Sequence, residues 1–314
     1  MGLPLPSPTL PQLAKSAKTM PSGDGWAYEP KFDGFRAVVF VDGEDAELQS
    51  RNGKSLTRYF PELAFPAGRY VLDGEIVVDG VGGGEFETDF DLLGQRIHPA
   101  KSRVDMLAEK TPARFIAFDL LAVDDEALLE LPQRERRARL QQIDGLDVTD
   151  SVDTPEAAEH WLHEAEGVIA KQTEAPYKPG ERVGMVKIKR VRTIDAVVLG
   201  WRPGKAEGTL GALILGLYGE DGKVRGIGHS SGFTAKEKRE LPEKLAPYET
   251  GEQGSAEPSR WSADRELAWI ALRPELVVEI AFDHMSNGRI RHNAKVLRWR
   301  DDKPPEACTL DQMS

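Results

Sequence analysis

The pattern of apolar and polar residues divides the chain into two parts that differ in the strands and helices they predict. In the first part, short apolar runs predict strands, and segments with helical spacing predict helices. The predicted strands are Phe35–Val41, Tyr70–Val78, Phe115–Leu121, Gly167–Ala170 and Val186–Lys189. One predicted helix begins near Pro132. Another has Thr154 as its N-cap and Pro155 at its first position, and is expected to end near Gly167.

After about Arg190 the runs become shorter and a single helix, Thr234–Leu245, lies among them. The predicted strands are Ile194–Trp201, Ala212–Tyr218, Lys223–Gly228, Leu276–Phe282 and Val296–Arg300. Five short strands and one helix are what a small closed barrel such as an OB-fold requires. We place the domain boundary at residues 190–194, which gives one domain over residues 1–191 and another over residues 192–314. The chain is therefore expected to be of the α+β class.

Charge and composition narrow the class of protein. The only cysteine is Cys308, which excludes a disulfide framework or a cysteine-built zinc site and favours a reducing, intracellular compartment. No signal peptide or membrane-spanning run is recognised. The net charge of −11 argues against nucleic acid, yet residues 178–205 carry a net +6 and residues 286–303 a net +4. The remainder sums to −21, which fits either two basic strips on an acidic body or ordinary solvated surface charge.

Three familiar motifs are nearly present. A P-loop ending at Gly53-Lys54-Ser55 lacks its first glycine, and a dinucleotide fingerprint beginning at Gly80 lacks its last. The run from Gly228 to Gly232 matches G-x-S-x-G around Ser230, and possible triad partners follow in order. These are Asp264 or Asp283 with His284 or His292. A hydrolase of that kind needs successive parallel βα units, which the predicted elements do not supply, but inspection alone leaves it open.

A different set of residues matches the requirements of nucleotidyl transfer. That chemistry needs a nucleophile, cations around the phosphates, carboxylates for a divalent metal ion and a flat partner for the base. Lys31, in a turn between extended stretches, is the candidate nucleophile and would have to attack as a neutral amine. The candidates for the other roles are Arg36, Arg51, Lys187 and Lys189 as cations, Glu75 and Glu166 as carboxylates, and Phe118 as the flat partner. Each has an ordinary structural explanation by itself; the ordered set is far less easily explained by chance.

The motifs K-x-D-G-x-R, S-R-x-G, D-G-E, F-D, E-G-hydrophobic-hydrophobic-x-K and K-x-K occur in one order, beginning at Lys31. With R-x-D-K at residues 300–303, they resemble the covalent nucleotidyltransferase superfamily, specifically the ATP-dependent DNA ligases. The resemblance covers residues 28–309 and is strongest to the small bacterial ligases of the C type. It implies an N-terminal nucleotidyltransferase (ATP-grasp-like adenylation) domain of antiparallel sheets with helices, followed by a C-terminal OB-fold β-barrel.

The resemblance also implies a role for each matching position. Lys31 would carry AMP, Glu29 would lie beside the adenine, and Phe118 would stack on it. Arg36 and Arg51 would hold ribose and phosphate groups, and Lys187 and Lys189 would touch the α-phosphate. Glu75 would contact the ribose or a metal ion, and Glu166 would bind the metal. Arg300 and Lys303 would orient the pyrophosphate, with Asp302 in the same motif.

The implied substrates are ATP, with Mg²⁺ or Mn²⁺, and nicked double-stranded DNA. The implied protein is monomeric, works with repair proteins, and acts without a membrane in the bacterial cytoplasm at the nucleoid. An RNA ligase or a capping-type guanylyltransferase shares Lys31 and most motifs, and an OB module with a decayed enzyme domain is the non-enzymatic alternative. An NAD-dependent ligase is disfavoured because it would need an extra N-terminal domain and a cysteine zinc site.

Overall fold

The computed structural model describes residues 2–80, 84, 86–254, 268–283, 285–286, 288–290 and 294–313. The chain forms two compact units, Met1–Arg190 and Val191–Ser314. Across the described ranges, no helix is both long and apolar enough to cross a membrane.

The first unit combines two sheets with short helices. Its strands are β1 (Lys15–Ser16), β2 (Trp26–Pro30), β3 (Phe35–Gly43), β4 (Asp45–Ser50), β5 (Gly68–Val78), β6 (Ala113–Val123), β7 (Glu126–Ala127), β8 (Gly167–Gln172) and β9 (Met185–Lys189). Its helices are α1 (Phe90–Gln95), α2 (Lys101–Lys110), α3 (Gln133–Leu140), α4 (Pro155–Ala158) and α5 (Trp161–Glu164). One sheet has the order β4-β3-β5-β6-β7 and the other β1-β9-β8-β2. All neighbours are antiparallel except β1 and β9.

The five-stranded sheet is covered on both faces, which explains its nearly continuous apolar runs. Val39 and Leu72 belong to one buried cluster, whereas Val38 and Val71 belong to another that also includes Tyr177. Because side chains alternate along a strand, neighbouring residues of β3 and β5 enter opposite clusters. The second cluster brings Tyr177, far along the chain, against the central strands.

The second unit is built on one large antiparallel sheet. Its elements are β10 (Arg192–Pro203), β11 (Leu210–Tyr218), β12 (Val224–Ser230), α6 (Ala235–Leu245), β13 (Glu249–Gly254), β14 (Trp269–Leu272), β15 (Val277–Phe282), β16 (Met285–Ser286), β17 (Arg289–Ile290) and β18 (Lys295–Trp299). The path β12-β11-β10-β14-β13 is extended by β15, which pairs with both β10 and β18. Helix α6 begins with a capping box in which Thr234 and Glu237 exchange side-chain-to-backbone hydrogen bonds.

The predicted strands and the helix at Thr234 are confirmed, and the two departures have physical reasons. The segment after Thr154 forms α4 and α5 instead of one helix, because the N–H groups of Glu159, Leu162 and His163 bond to the carbonyl three positions earlier, which interrupts the α-helical pattern. The five strands predicted after Arg190 are too few, because β13, β14 and the short pair β16 and β17 also form in the described part. β13 carries almost no buried side chain, so its sequence, ETGEQG, lacks the apolar alternation that would reveal it.

Candidate active site

A cavity of about 540 Å³ in the first unit is lined by side chains of both sheets. Seven predicted site residues line it: Glu29, Lys31, Arg36, Arg51, Glu75, Phe118 and Lys187. Glu166 and Lys189 belong to the same unit but are not among the lining residues. Arg300, Asp302 and Lys303 belong to the second unit. The structure therefore gathers the predicted nucleophile, base partner and most of the predicted cations around one cavity.

Lys31 follows directly after β2 and is held by backbone bonds to the start of β8. Its N–H donates to Gly167 O at 2.9 Å, and its carbonyl accepts the N–H of Glu166 at 3.0 Å. Gly167 has φ +128°, and a Cβ there would lie 2.0 Å from the carbonyl oxygen of Ile188. Only glycine fits this approach. The E-G pair of the sequence thus fixes the backbone next to Lys31.

Cations surround the open end of the cavity near Lys31. Lys187 is half-buried on β9, and Arg51 and Arg182 also line the cavity. The pKa of Lys187 is lowered by burial and by the charges of Lys189, Lys31, Arg182 and Arg51. Such a cluster attracts a polyphosphate and favours an uncharged amine within it.

Arg36 is clamped by a closed ring of hydrogen bonds. Its Nε and Nη2 donate to the two oxygens of buried Asp73, both at 2.6 Å. Tyr177 OH donates to Asp73 Oδ2 at 2.6 Å and accepts the N–H of Gln12 at 2.9 Å. The carbonyl of Gln12 accepts Arg36 Nη2 at 3.3 Å, which closes the ring. The guanidinium carbon of Arg36 lies 4.4 Å from the ring centroid of Phe118. The hydrogen bonds thus fix the direction of the Arg36 side chain, and the contact with Phe118 fixes its distance from that ring.

Phe118 enters the cavity because β6 has a bulge. On β5, Asp73 pairs with Asp119 and Gly74 pairs with Ala117, so Phe118 has no opposite residue. A bulge of this kind re-aims a side chain that regular alternation would place elsewhere. The half-buried ring therefore reaches the cavity beside Asp119.

Glu29 and Lys171 form the inner end of the cavity. Lys171 Nζ lies 2.8 Å from Glu29 Oε2 and donates to the carbonyl of Phe118 at 2.9 Å. The same Nζ lies 4.9 Å from the Phe118 ring centroid. Glu29 is almost fully buried, and burial raises the pKa of its carboxyl. Its other oxygen, Oε1, has no hydrogen-bond partner among the described residues.

The two predicted metal-binding carboxylates lie near the nucleophile. Glu75 is half-buried opposite Arg36 on β5, and burial raises its pKa to about 7. Glu166 is held next to Lys31 through the backbone. No group of three or more metal-ligating side chains is found in the described ranges. Two carboxylates still suffice for Mg²⁺, which usually retains waters and substrate phosphates as further ligands.

In the second unit, Arg300 and Lys303 both bind Asp195 of β10. Arg300 Nη1 lies 2.8 Å from Asp195 Oδ1, and Lys303 Nζ lies 2.8 Å from Asp195 Oδ2. Arg300 also donates twice to Asp302, both bonds at 2.9 Å, which lowers the pKa of Asp302 to about 2. In the R-x-D-K motif, Arg300 and Lys303 are therefore held in a preformed ion-pair network with two carboxylates, Asp195 and Asp302.

Comparisons with known proteins give a consistent result. Residues 8–189 match the family model of the ATP dependent DNA ligase domain, and residues 206–303 match that of the ATP dependent DNA ligase C terminal region. The chain belongs to the ATP-dependent DNA ligases. It is 45% identical to DNA ligase C1 of Mycolicibacterium smegmatis, over 100% of this chain and 96% of that protein. It is 42% identical to DNA ligase C of Mycobacterium tuberculosis, with the same coverage.

Two solved structures agree with this ligase assignment. The ligase domain of LigD from M. tuberculosis is 30% identical to this ligase, with a TM-score of 0.52 over 96% of this chain and 98% of that one. A mycobacterial DNA ligase D complexed with ATP and MES is 29% identical, with a TM-score of 0.53 and the same coverage. The predicted resemblance is thereby confirmed at the level of the family and its C-type members.

The hydrolase alternative is not supported. In the ligase, Ser230 is buried at the end of β12, which runs antiparallel to β11 instead of in a parallel βα unit. Asp264, His284 and His292, named above as partners, lie outside the described residues.

Sequence reasoning missed four residues that shape the site. Asp73 and Lys171 stood inside the quoted D-G-E and E-G-x-x-x-K motifs, so the signal was present. Tyr177 lines the cavity, and the backbone of Gln12 bonds to Tyr177 and Arg36; both act through tertiary contacts that leave no pattern in the sequence.

Proposed function

We propose that this protein seals nicks between a 5′-phosphate and a 3′-hydroxyl in duplex DNA, with ATP as the source of energy and Lys31 as the site of AMP attachment. The observation that carries the proposal is the placement of half-buried Lys31 in a cavity that is cationic at one end and has a buried acceptor at the other. Those two ends fit the two ends of ATP. The unpartnered Oε1 of Glu29 can accept a donor from the base, and the Lys187 region suits the phosphates.

The first transfer forms the covalent adenylate. Lys31 Nζ, uncharged after it loses a proton, forms a bond to the α-phosphorus while the bond from that phosphorus to the bridging oxygen breaks. Pyrophosphate leaves with the electron pair of that bond. Lys187, Lys189 and Arg51 offset the negative charge on the phosphates, and Arg36 holds the nucleotide near the ribose.

The second and third transfers use DNA. A nick 5′-phosphate oxygen displaces Lys31 from the AMP phosphorus, and the 3′-hydroxyl then attacks the activated 5′-phosphate and expels AMP. Glu75 and Glu166 would hold a divalent cation, which supplies charge neutralisation at the phosphates. Carboxylates of this kind must be ionised to bind it.

The two units have separate roles in the proposal. The first is the adenylation domain, with ATP-grasp-like architecture. The second is an OB-fold domain; its strands β10, β11, β12, β15 and β18 and helix α6 support that assignment. Arg300 and Lys303 orient the pyrophosphate in the first transfer, with Asp302 holding Arg300. The protein is expected to act as a monomer and with repair proteins.

The deciding experiment compares substrates directly. Purified protein is incubated with a nicked DNA duplex or a nicked RNA duplex, each with a 5′-labelled nick strand, together with Mg²⁺ and either ATP, GTP or NAD. Sealing with ATP alone is expected. Sealing that requires NAD, or activity only on a nicked RNA duplex, contradicts the proposal and points to another member of the superfamily.

A further inference from the structure

The inner end of the cavity contains a buried acid held between two cations. Lys171, on β8, lies 2.8 Å from Glu29 Oε2, and Arg137, on α3, places Nη1 3.7 Å from Glu29 Oε1. All three side chains are largely buried. The second contact is longer than a hydrogen bond, and neither Glu29 Oε1 nor Arg137 Nη1 has a hydrogen-bond partner in the described part of the chain.

The arrangement leaves one buried carboxylate oxygen of a cavity-lining residue without a hydrogen-bond donor among the described residues. An ionised carboxylate only accepts hydrogen bonds, whereas a protonated one can also donate. A buried polar atom without a partner is destabilising, so a ligand that satisfies it is favoured. A base with an exocyclic amine at that position donates to Glu29 Oε1. A base with a carbonyl there places two acceptors face to face.

We propose that Lys171, assisted by Arg137, determines base specificity by keeping Glu29 an acceptor, which selects adenine and rejects guanine. This inference rests on the proposed function, because it assumes that the nucleotide base occupies the Glu29 end. The Nζ of Lys171 contacts both Glu29 and the carbonyl of Phe118. Lys171 therefore also fixes Glu29, which would bond to the edge of the base, relative to Phe118, which would stack on its face. Lys171 is a positioning residue here, since it acts through Glu29.

The groups around Glu29 oppose one another. Burial raises the pKa of Glu29, and the charge of Asp119 on β6 raises it further. Lys171 and Arg137 act in the opposite direction. Removing either cation therefore favours the protonated acid, whose O–H can donate to a carbonyl of the base. The closer partner, Lys171, should have the larger effect.

The test is single-turnover self-nucleotidylation with α-labelled ATP and α-labelled GTP, in separate reactions, for wild type, Lys171→Met, Lys171→Arg and Arg137→Gln. In wild type, ATP should label faster than GTP. Lys171→Met should reduce the ATP-to-GTP rate ratio at least tenfold, and Arg137→Gln should reduce it less. Lys171→Arg, which keeps the positive charge, should leave the ratio close to that of wild type. Equal losses with both nucleotides, which leave the ratio unchanged, would overturn the inference and make Lys171 a structural residue.

Two measurements keep the test decisive if Lys171→Met folds poorly. The variant Glu29→Gln keeps the shape but can present either an amide oxygen or an NH₂, so it should also lower the ratio. In wild type, the ratio should fall as the pH is lowered, because burial raises the pKa of Glu29 and its protonated form can donate to a carbonyl. A constant ratio in both cases contradicts the inference. If wild type forms no adduct with ATP at all, the proposed function fails instead.

Discussion

The substitution Tyr177→Phe tests whether the ring of hydrogen bonds around Arg36 matters for the chemistry. It removes only a buried hydroxyl, which donates to Asp73 and accepts from the N–H of Gln12. A hydrogen bond to an ionised group contributes about 1.5–3 kcal/mol, and an unpaired buried N–H costs about 1–3 kcal/mol. The first unit should therefore lose about 2–4 kcal/mol of stability, since the two effects partly overlap.

Only part of this loss in stability should appear as a higher barrier to self-adenylation, because Asp73 and Gln12 still hold Arg36. We expect kcat/KM for ATP in self-adenylation to fall roughly tenfold, which corresponds to about 1.4 kcal/mol. The assay is quench-flow formation of labelled enzyme–AMP, with urea unfolding measured in parallel.

Tyr70→Phe is the matched control. Tyr70 is also a buried tyrosine of the first unit, and its hydroxyl donates to the carbonyl of Pro66, away from the cavity. It should lose stability but adenylate at the wild-type rate. In an Arg36→Lys background, Tyr177→Phe should add little further loss, because the two residues act together. Equal slowing by the two tyrosine substitutions, or full additivity with Arg36→Lys, would refute the reasoning.

Three further predictions follow from the charged groups. Lys187→Met should stabilise the fold at neutral pH and low salt, measured by thermal melts, and should slow self-adenylation, measured with labelled AMP. Because the folded-state pKa of Lys187 is lowered, its charged form costs stability, and that cost disappears as the pH rises through the folded pKa towards 10.5. A melting temperature unchanged by the substitution would count against this prediction. Arg300→Ala should slow self-adenylation more than sealing of pre-adenylated nicks, and equal losses would remove Arg300 from pyrophosphate orientation. Nick sealing should weaken steeply between about 50 and 200 mM salt, measured under subsaturating DNA, because basic residues must contact the phosphate backbone; a salt-independent rate would contradict this.

Much of the first unit could be predicted because its strands carry apolar runs long enough to be recognised. The predicted bounds of β3, β5 and β6 lie within two residues of the observed bounds at every end. The order of short motifs identifies six cavity residues without any knowledge of their distances, and the family resemblance adds Glu29. Local sequence carries this information because each motif is tied to a turn or a strand end.

The remainder depends on tertiary contacts that no local pattern reports. The bulge at Phe118 is a register shift between β5 and β6. A prediction from regular alternation along β6 therefore assigns the Phe118 side chain to the wrong face of the sheet. Gln12 lies in a Pro-rich lead-in, yet its backbone completes the ring around Arg36. In the sequence, Asp195 is only one acidic residue within the basic stretch 178–205, although it binds both Arg300 and Lys303.

The central claim is that the amine of Lys31 bonds to the α-phosphorus of ATP. Intact-protein and peptide mass spectrometry after incubation with ATP and Mg²⁺ tests it most directly, with Lys31→Arg as the control. We expect an added mass of roughly 329 Da, acid-labile and confined to the peptide that contains Lys31, and no adduct in the variant. An adduct on another residue, or its persistence in Lys31→Arg, would contradict the account.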